Sequence, residues 1–141
     1  MTNTAVDHPI TLEVVFFTKS VVIAIQEHNP ANASPVAPAN SLDVAEIPGS
    51  PGRYQAMMRT TFNTDMSPDA PYMVEMECVG LFSANDTLTK EEANRGVTIT
   101  AHSVLYGAIR EAVSWLTARQ PFGPLALGLS VLQPTKTEKA E

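Results

Sequence analysis

One cysteine in 141 residues, Cys78, leaves no partner for an intrachain disulfide and no set of thiolates for zinc. Histidine is scarce as well. His8, His28 and His102 are scattered, none four residues from another, so no HxxxH or HExxH ligand pair exists. Nine basic residues stand against fifteen acidic ones, giving a net charge of -6 and a pI near 5.0. Phosphate-backbone binding relies on clustered Lys and Arg, so nucleic acid is not an expected partner. No apolar run approaches the ~20 residues that cross a bilayer. The opening "MTNTAVDHPITLEVV" shows no basic stretch followed by an apolar one and a small-residue cleavage site. The expectation is a soluble, cytoplasmic chain without membrane insertion, on which the sequons at Asn32 and Asn85 carry no meaning. GxSxG, P-loop and GxGxxG patterns are all missing. Neither a cofactor nor an enzymatic activity is expected.

Hydrophobic residues make up 44% of the chain and charged residues 17%, which suits a globular protein. The length suits a single domain, residues 1–141. Residues 10–27, "ITLEVVFFTKSVVIAIQE", have strand composition, with apolar side chains on both faces around Val14–Phe17 and Val21–Ile25. A strand with two dry faces is central in a layered structure or lies in an interface. Lys19-Ser20 interrupts it and predicts a bulge or bend. Residues 28–52 are rich in proline and read as a crossover loop, longer than compact domains usually carry. Leu42, Val44 and Ile47 inside it are apolar, so the loop is expected to be ordered and to lie over one face of the sheet. Residues 53–66 and 71–84, joined by "SPDA", predict an antiparallel hairpin whose turn uses Pro68 and Asp69. Its inner face would carry Tyr54, Met58, Phe62, Tyr72, Val74, Met76 and Phe82. Residues 1–9 read as a flexible arm and 135–141 as a flexible tail.

"TKEE", Thr89 to Glu92, fits a capping box, predicting a turn of helix that ends at Arg95-Gly96. A longer helix is expected over about residues 98–119. Its apolar residues include Val104, Ala108 and Trp115. At 100° per residue they cover about half the circumference, more than the ~100° stripe that packing on one sheet requires. A second partner for this helix is implied, and an oligomer interface supplies one. "QPFGPLALGLSVLQP" is apolar but punctuated by Pro and Gly, so no regular helix is expected there.

In "YMVEMECVGLFS", Tyr72 to Ser83, the alternation puts Glu75 and Glu77 on one face of a strand and Val74, Met76 and Cys78 on the other. Two such carboxylates stand ~7 Å apart, within glycosidase range, but no pocket is evident that would separate their pKa values. A solvated face or a docking face is the stronger reading. Cys78 reads as an inert buried thiol, and His102, at the rim of the helical stripe, as a packing residue.

Taken in order, these segments resemble the SecB family of export chaperones. The resemblance rests on "FFTKSVVIAIQEHNP", on "SLDV", on the paired "YQAMMRTTFNT" and "YMVEMECVGLFS", and on "HSVLYGAIREAVSWLTARQPFGPLAL" with its Arg110-Glu111. It implies an α+β fold, a four-stranded antiparallel sheet with one long helix on one face, assembling as a dimer of dimers. It also implies ATP-independent binding of unfolded polypeptides in apolar grooves, keeping them soluble or export-competent. The client-binding residues would be Leu42, Val44, Ile47, Met57, Phe122, Leu125 and Leu127. Glu75 and Glu77 would dock a partner such as the translocation ATPase SecA. Val74, Met76, Cys78, Val104, Ala108 and Trp115 would lie in the homotetramer interfaces. Four methionines on the hairpin, Met57, Met58, Met73 and Met76, suit either an adaptable binding surface or an ordinary core.

Two departures qualify the likeness. The family's first strand carries acids where Ser20 and Ala24 stand here, which removes part of a SecA-docking surface. The family's second helix has only "LSVLQPTKTEKAE" in its place, too short and too interrupted by proline. Both point to the alternative of a SecB-like adaptor dedicated to one partner, of the kind attached to a toxin–antitoxin pair or carried by a phage or mobile element.

Overall fold

The computed structural model describes residues 7–32 and 37–132. Strands β1 (Ile10–Ala24), β2 (Ala39–Glu46), β3 (Arg53–Phe62) and β4 (Tyr72–Ala84) form one antiparallel sheet in the order β1-β4-β3-β2. A single helix, α1 (Lys90–Thr117), lies on one face and touches all four strands. The α+β architecture expected from the sequence is present; the tail at 135–141 and most of the arm at 1–9 lie outside the described residues.

The inner face is the one that strand alternation predicts. Tyr54, Met58, Phe62, Tyr72, Val74, Met76 and Phe82 are all buried there, against a row of α1 residues spaced by four: Ala93, Val97, Ala101, Leu105, Ile109, Val113. Gly80 lets helix and strand approach: a Cβ there would lie 2.6 Å from the Phe82 ring and 3.0 Å from Leu105 Cδ2. Met58 and Met76 belong to this core, and Met73 is buried on the other face. Met57 is half-buried, so the core reading holds for Met58 and Met76.

Four expectations about the elements are corrected. The crossover at 28–52 contains β2, because Leu42 and Val44 turn toward the core while β3 offers an open edge to pair with Ala39–Glu46. Asn, Asp and Ala, which are poor strand formers, masked it. β3 stops at Phe62 rather than Met66. Asn63 takes a φ of 54° there, its Nδ2 donates to the carbonyls of Ser67 and Tyr72, and its Oδ1 accepts from the Ser67 N–H. In that link Ser67 Oγ, not Asp69, supplies the acceptor, taking the Asp69 N–H at 3.1 Å. The helix is continuous through Gly96. A mid-helix glycine costs about 1 kcal/mol, and here it makes room for Ile10, whose Cδ1 would be 3.3 Å from an added Cβ. The capping box forms as predicted, Thr89 and Glu92 bonding reciprocally.

β1 is an edge strand in this chain rather than a central one. It ends at Ala24, and its register shifts at Leu12/Val14 and Phe17/Lys19 place one bulge beside the predicted Lys19-Ser20 interruption.

Beyond the helix, residues 120–132 form an extended strap laid back along α1. Having no neighbouring strand, its backbone is bonded by side chains. Tyr106 Oη donates to the Gly128 carbonyl, Arg110 Nε to that of Leu127 at 2.9 Å, and the Leu125 N–H donates to Thr117 Oγ1 at 2.8 Å. Tyr72 Oη accepts from the Phe122 N–H and donates to the Gly123 carbonyl at 2.7 Å. Phe122, Leu125 and Leu127 pack inward. The strap therefore covers part of the wide helical stripe that the sequence reading assigned to another subunit.

Two predictions follow from these contacts. Tyr72→Phe keeps the ring and removes both strap bonds, with an expected loss of about 1–3 kcal/mol; denaturant titration measures it, and hydrogen exchange should show the Phe122 amide losing protection. Burial raises the Cys78 thiol from its ordinary value of 9.0 to about 11. The neutral thiol is favoured in the folded state, so this contribution to stability is constant below pH 9 and declines as pH rises through about 11. At neutral pH a thiol reagent should label Cys78 only in denaturant.

Candidate functional site

An open groove of about 840 Å³ lies between the start of β2, the first half of α1 and the end of the strap. Its floor is Leu42 and Met58, and Ile99, Val131 and Leu132 form apolar walls. A polar chain crosses it. Buried Thr60 donates to Asn40 Oδ1 at 2.7 Å, Asn40 Nδ2 donates to Ser130 Oγ at 3.3 Å, and His102 Nε2 lies 3.1 Å from the same hydroxyl. His102 also stacks on Tyr106. These bonds tether the strap end to β2 and α1. A second, smaller hollow of about 540 Å³ lies at the other end of β2, lined by Ile47, Tyr54 and Leu88 with Glu46 and Lys90 at its rim.

The expected client-binding residues are not brought together as one surface. Leu42 lines the large groove and Ile47 the small one; Val44, half-buried, packs against the core between them in sequence. Met57 stands across from Val79, on the sheet face away from the helix. Phe122, Leu125 and Leu127 are spent on anchoring the strap, Phe122 edge-on to both His28 and Tyr72. The groove residues that sequence reasoning missed are Met58, Ile99, Val131 and Leu132. Val131 could have been found from "LALGLSVLQ", where alternate apolar residues continue past the anchored ones; Val131 and Leu129 are 82% and 85% exposed.

Glu75 and Glu77 do share a face, the one opposite the helix, and both are paired within the chain. Lys19 Nζ is 2.6 Å from Glu75 Oε2. Arg59 bonds Glu77 Oε2 through Nε and Nη2 at 3.1 and 2.7 Å, and Thr18 donates to Glu77 Oε1. Two carboxylates are thus matched by two cations, which leaves little net negative charge for a basic partner. Ser20 and Ala24 pair with Met76 and Tyr72, inner-face residues. Directly paired residues project to the same face, so acids at positions 20 and 24 would not have joined Glu75 and Glu77. His102 and Glu75 lie on opposite sides of the sheet and cannot share an active site.

The proposed interface set separates in the same way. Val74, Met76 and Cys78 are fully buried beneath α1 and have no surface to offer a second subunit. The sequence reading had the face right, but the helix of the same chain consumes it. Val104 and Ala108 are half-buried against the core, while Trp115 is 79% exposed, with Ile99 and Leu116 also exposed on the helix. β1 exposes Leu12, Val14, Phe16, Phe17 and Ile23 along a backbone edge with no neighbouring strand among the described residues. Among the described residues no helix is long and apolar enough to cross a membrane, and no cluster of His, Cys, Asp and Glu has metal-site geometry.

No family model and no curated protein matches the sequence. Solved structures do match the fold. The SecB-like chaperone Rv1957 of Mycobacterium tuberculosis, in complex with a ChAD peptide from the antitoxin HigA1, superposes with a TM-score of 0.68 over 86% of this chain and 91% of that one, at 18% identity. A protein of unknown function from Streptococcus agalactiae covers 85% of this chain and 97% of its own, with a TM-score of 0.49 and 12% identity. The four-stranded antiparallel sheet with one long helix matches a SecB-like α+β fold.

Proposed function

We propose that this chain is an ATP-independent chaperone that holds non-native polypeptide in the groove beside β2. The observation that carries the reading is the groove itself. Leu42, Met58, Ile99, Val131 and Leu132 line an open channel, with hydroxyl and amide groups spaced along it. That combination receives apolar side chains while leaving bonds for the peptide backbone. The SecB-like fold supports it, since the neighbour of this fold from M. tuberculosis is a chaperone holding a peptide. At stoichiometric dose the protein should suppress light scattering by an unrelated protein diluted from denaturant. Leu42→Asp, on the groove floor, should abolish most of that suppression. Unchanged scattering with the wild-type protein would reject the proposal.

A dedicated adaptor is the second reading, favoured by the antitoxin peptide on the M. tuberculosis neighbour and by the charge-neutral outer face around Glu75 and Glu77. It differs in clientele: recovery of one dominant partner from the native host favours it, and a heterogeneous set excludes it. Export coupling through SecA would have to displace Lys19 and Arg59 from the two carboxylates.

The exposed edge and apolar side chains of β1 support sheet extension by a second copy, and Trp115 supports stacking of helices. A homotetramer would use both. Native mass should give four chains, and Trp115→Glu should reduce it to two; a monomeric wild-type protein would remove this assembly.

A further inference from the structure

The groove differs electrostatically from the rest of the chain. The protein carries a net charge of -6; the smaller hollow beside β2 includes Glu46 and Asp86, and a further one of about 300 Å³ between the second half of α1 and the strap includes Glu111. Among the described residues the large groove has no carboxylate in its lining, and its one fully charged group there is Arg95, exposed on the second turn of α1. The four ion pairs among the described residues do not include Arg95. Glu92, one turn back, bonds chiefly to its own helix cap: its carboxylate accepts the Thr89 N–H at 2.9 Å, which is the main cause of its lowered pKa, and the Arg95 charge lowers it further without a hydrogen bond between the two. Asn94 and His102 add polar groups on the same flank of the groove as Arg95. A cationic flank therefore borders an apolar floor.

Resting on the groove reading above, we propose that the occupant is a polypeptide segment in which an apolar run is followed or preceded by an acidic residue, its carboxylate meeting Arg95 while its apolar side chains cover Leu42 and Ile99. An arginine fork suits a carboxylate, and a lysine-flanked segment would meet like charge at the same point. The residues after Leu132, "QPTKTEKAE", contain acids but no large apolar side chain, so they lack the component that the floor of the groove requires. The proposed occupant is a non-native polypeptide that carries both.

The test uses three fluorescein-labelled peptides with one Leu-Val-Leu-Val core and flanks of Glu, Gln or Lys, titrated with the full chain by fluorescence anisotropy. The expected order of affinity is Glu, then Gln, then Lys. A solvent-exposed pair of this kind amounts to roughly a three- to fivefold advantage of Glu over Gln at low salt, shrinking as salt rises. Arg95→Glu should reverse the order and leave the Gln peptide unchanged, which also shows that the variant folds. An order that survives Arg95→Glu, or equal binding of all three by the wild-type chain, overturns the charge selection while the groove reading stands. Failure of all three peptides to bind rejects both.

Discussion

The strap at 120–132 depends on one requirement: an extended segment with no neighbouring strand must find partners for its backbone polar groups. α1 supplies them. Tyr106, Arg110 and Thr117 on the helix bond the Gly128 carbonyl, the Leu127 carbonyl and the Leu125 amide in turn, antiparallel to the helix, and Tyr72 rises from β4 to hold the first turn of the strap. Because the strap stays on the helix, Phe122, Leu125 and Leu127 can bury themselves. Its far end then reaches β2, where Ser130 meets Asn40 and His102 and completes the groove. The groove is a consequence of the strap.

The same constraint alters how the two large apolar surfaces divide their work. An over-wide helical stripe implies a second partner, and part of that partner is the chain's own strap. What is left exposed on the helix is Ile99, Trp115 and Leu116. The first strand keeps its apolar side chains exposed because it is an edge: Val14 and Phe16 pair with Leu81 and Val79 on the outer face, while Leu12 and Phe17 pair with Phe82 and Cys78 on the inner one. An edge of 15 residues with both faces apolar is costly to leave in water. The outer face beyond it is balanced rather than acidic, since Lys19 and Arg59 answer Glu75 and Glu77.

Alternation at period two was enough to assign the inner face of β3 and β4, residue by residue, and to judge Cys78 inert. The capping box marked the start of α1. Those signals are local, and they were legible for that reason. β2 was not, because "ANSLDVAE" carries few strand formers and becomes a strand only where β3 leaves an edge open. Gly96 read as a break because the sequence cannot display Ile10 beside it. Glu75 and Glu77 were correctly placed on one face, but their cations come from β1 and β3, and charge pairing across strands depends on register.

By itself the sequence determined the class of the fold, the core of the hairpin, the helix and the absence of a recognisable catalytic motif, because each follows from periodicity or residue type along a continuous stretch. Only the tertiary structure decided which apolar residues are spent and which are free. Val74, Met76 and Cys78 vanish under α1, Phe122, Leu125 and Leu127 anchor the strap, and Leu42, Ile99, Val131 and Leu132 are left to line a groove above the buried Met58. The reason is physical. Burial is a property of what lies across from a side chain, and here the facing groups come from β2, α1 and the strap, up to 90 residues apart in the chain.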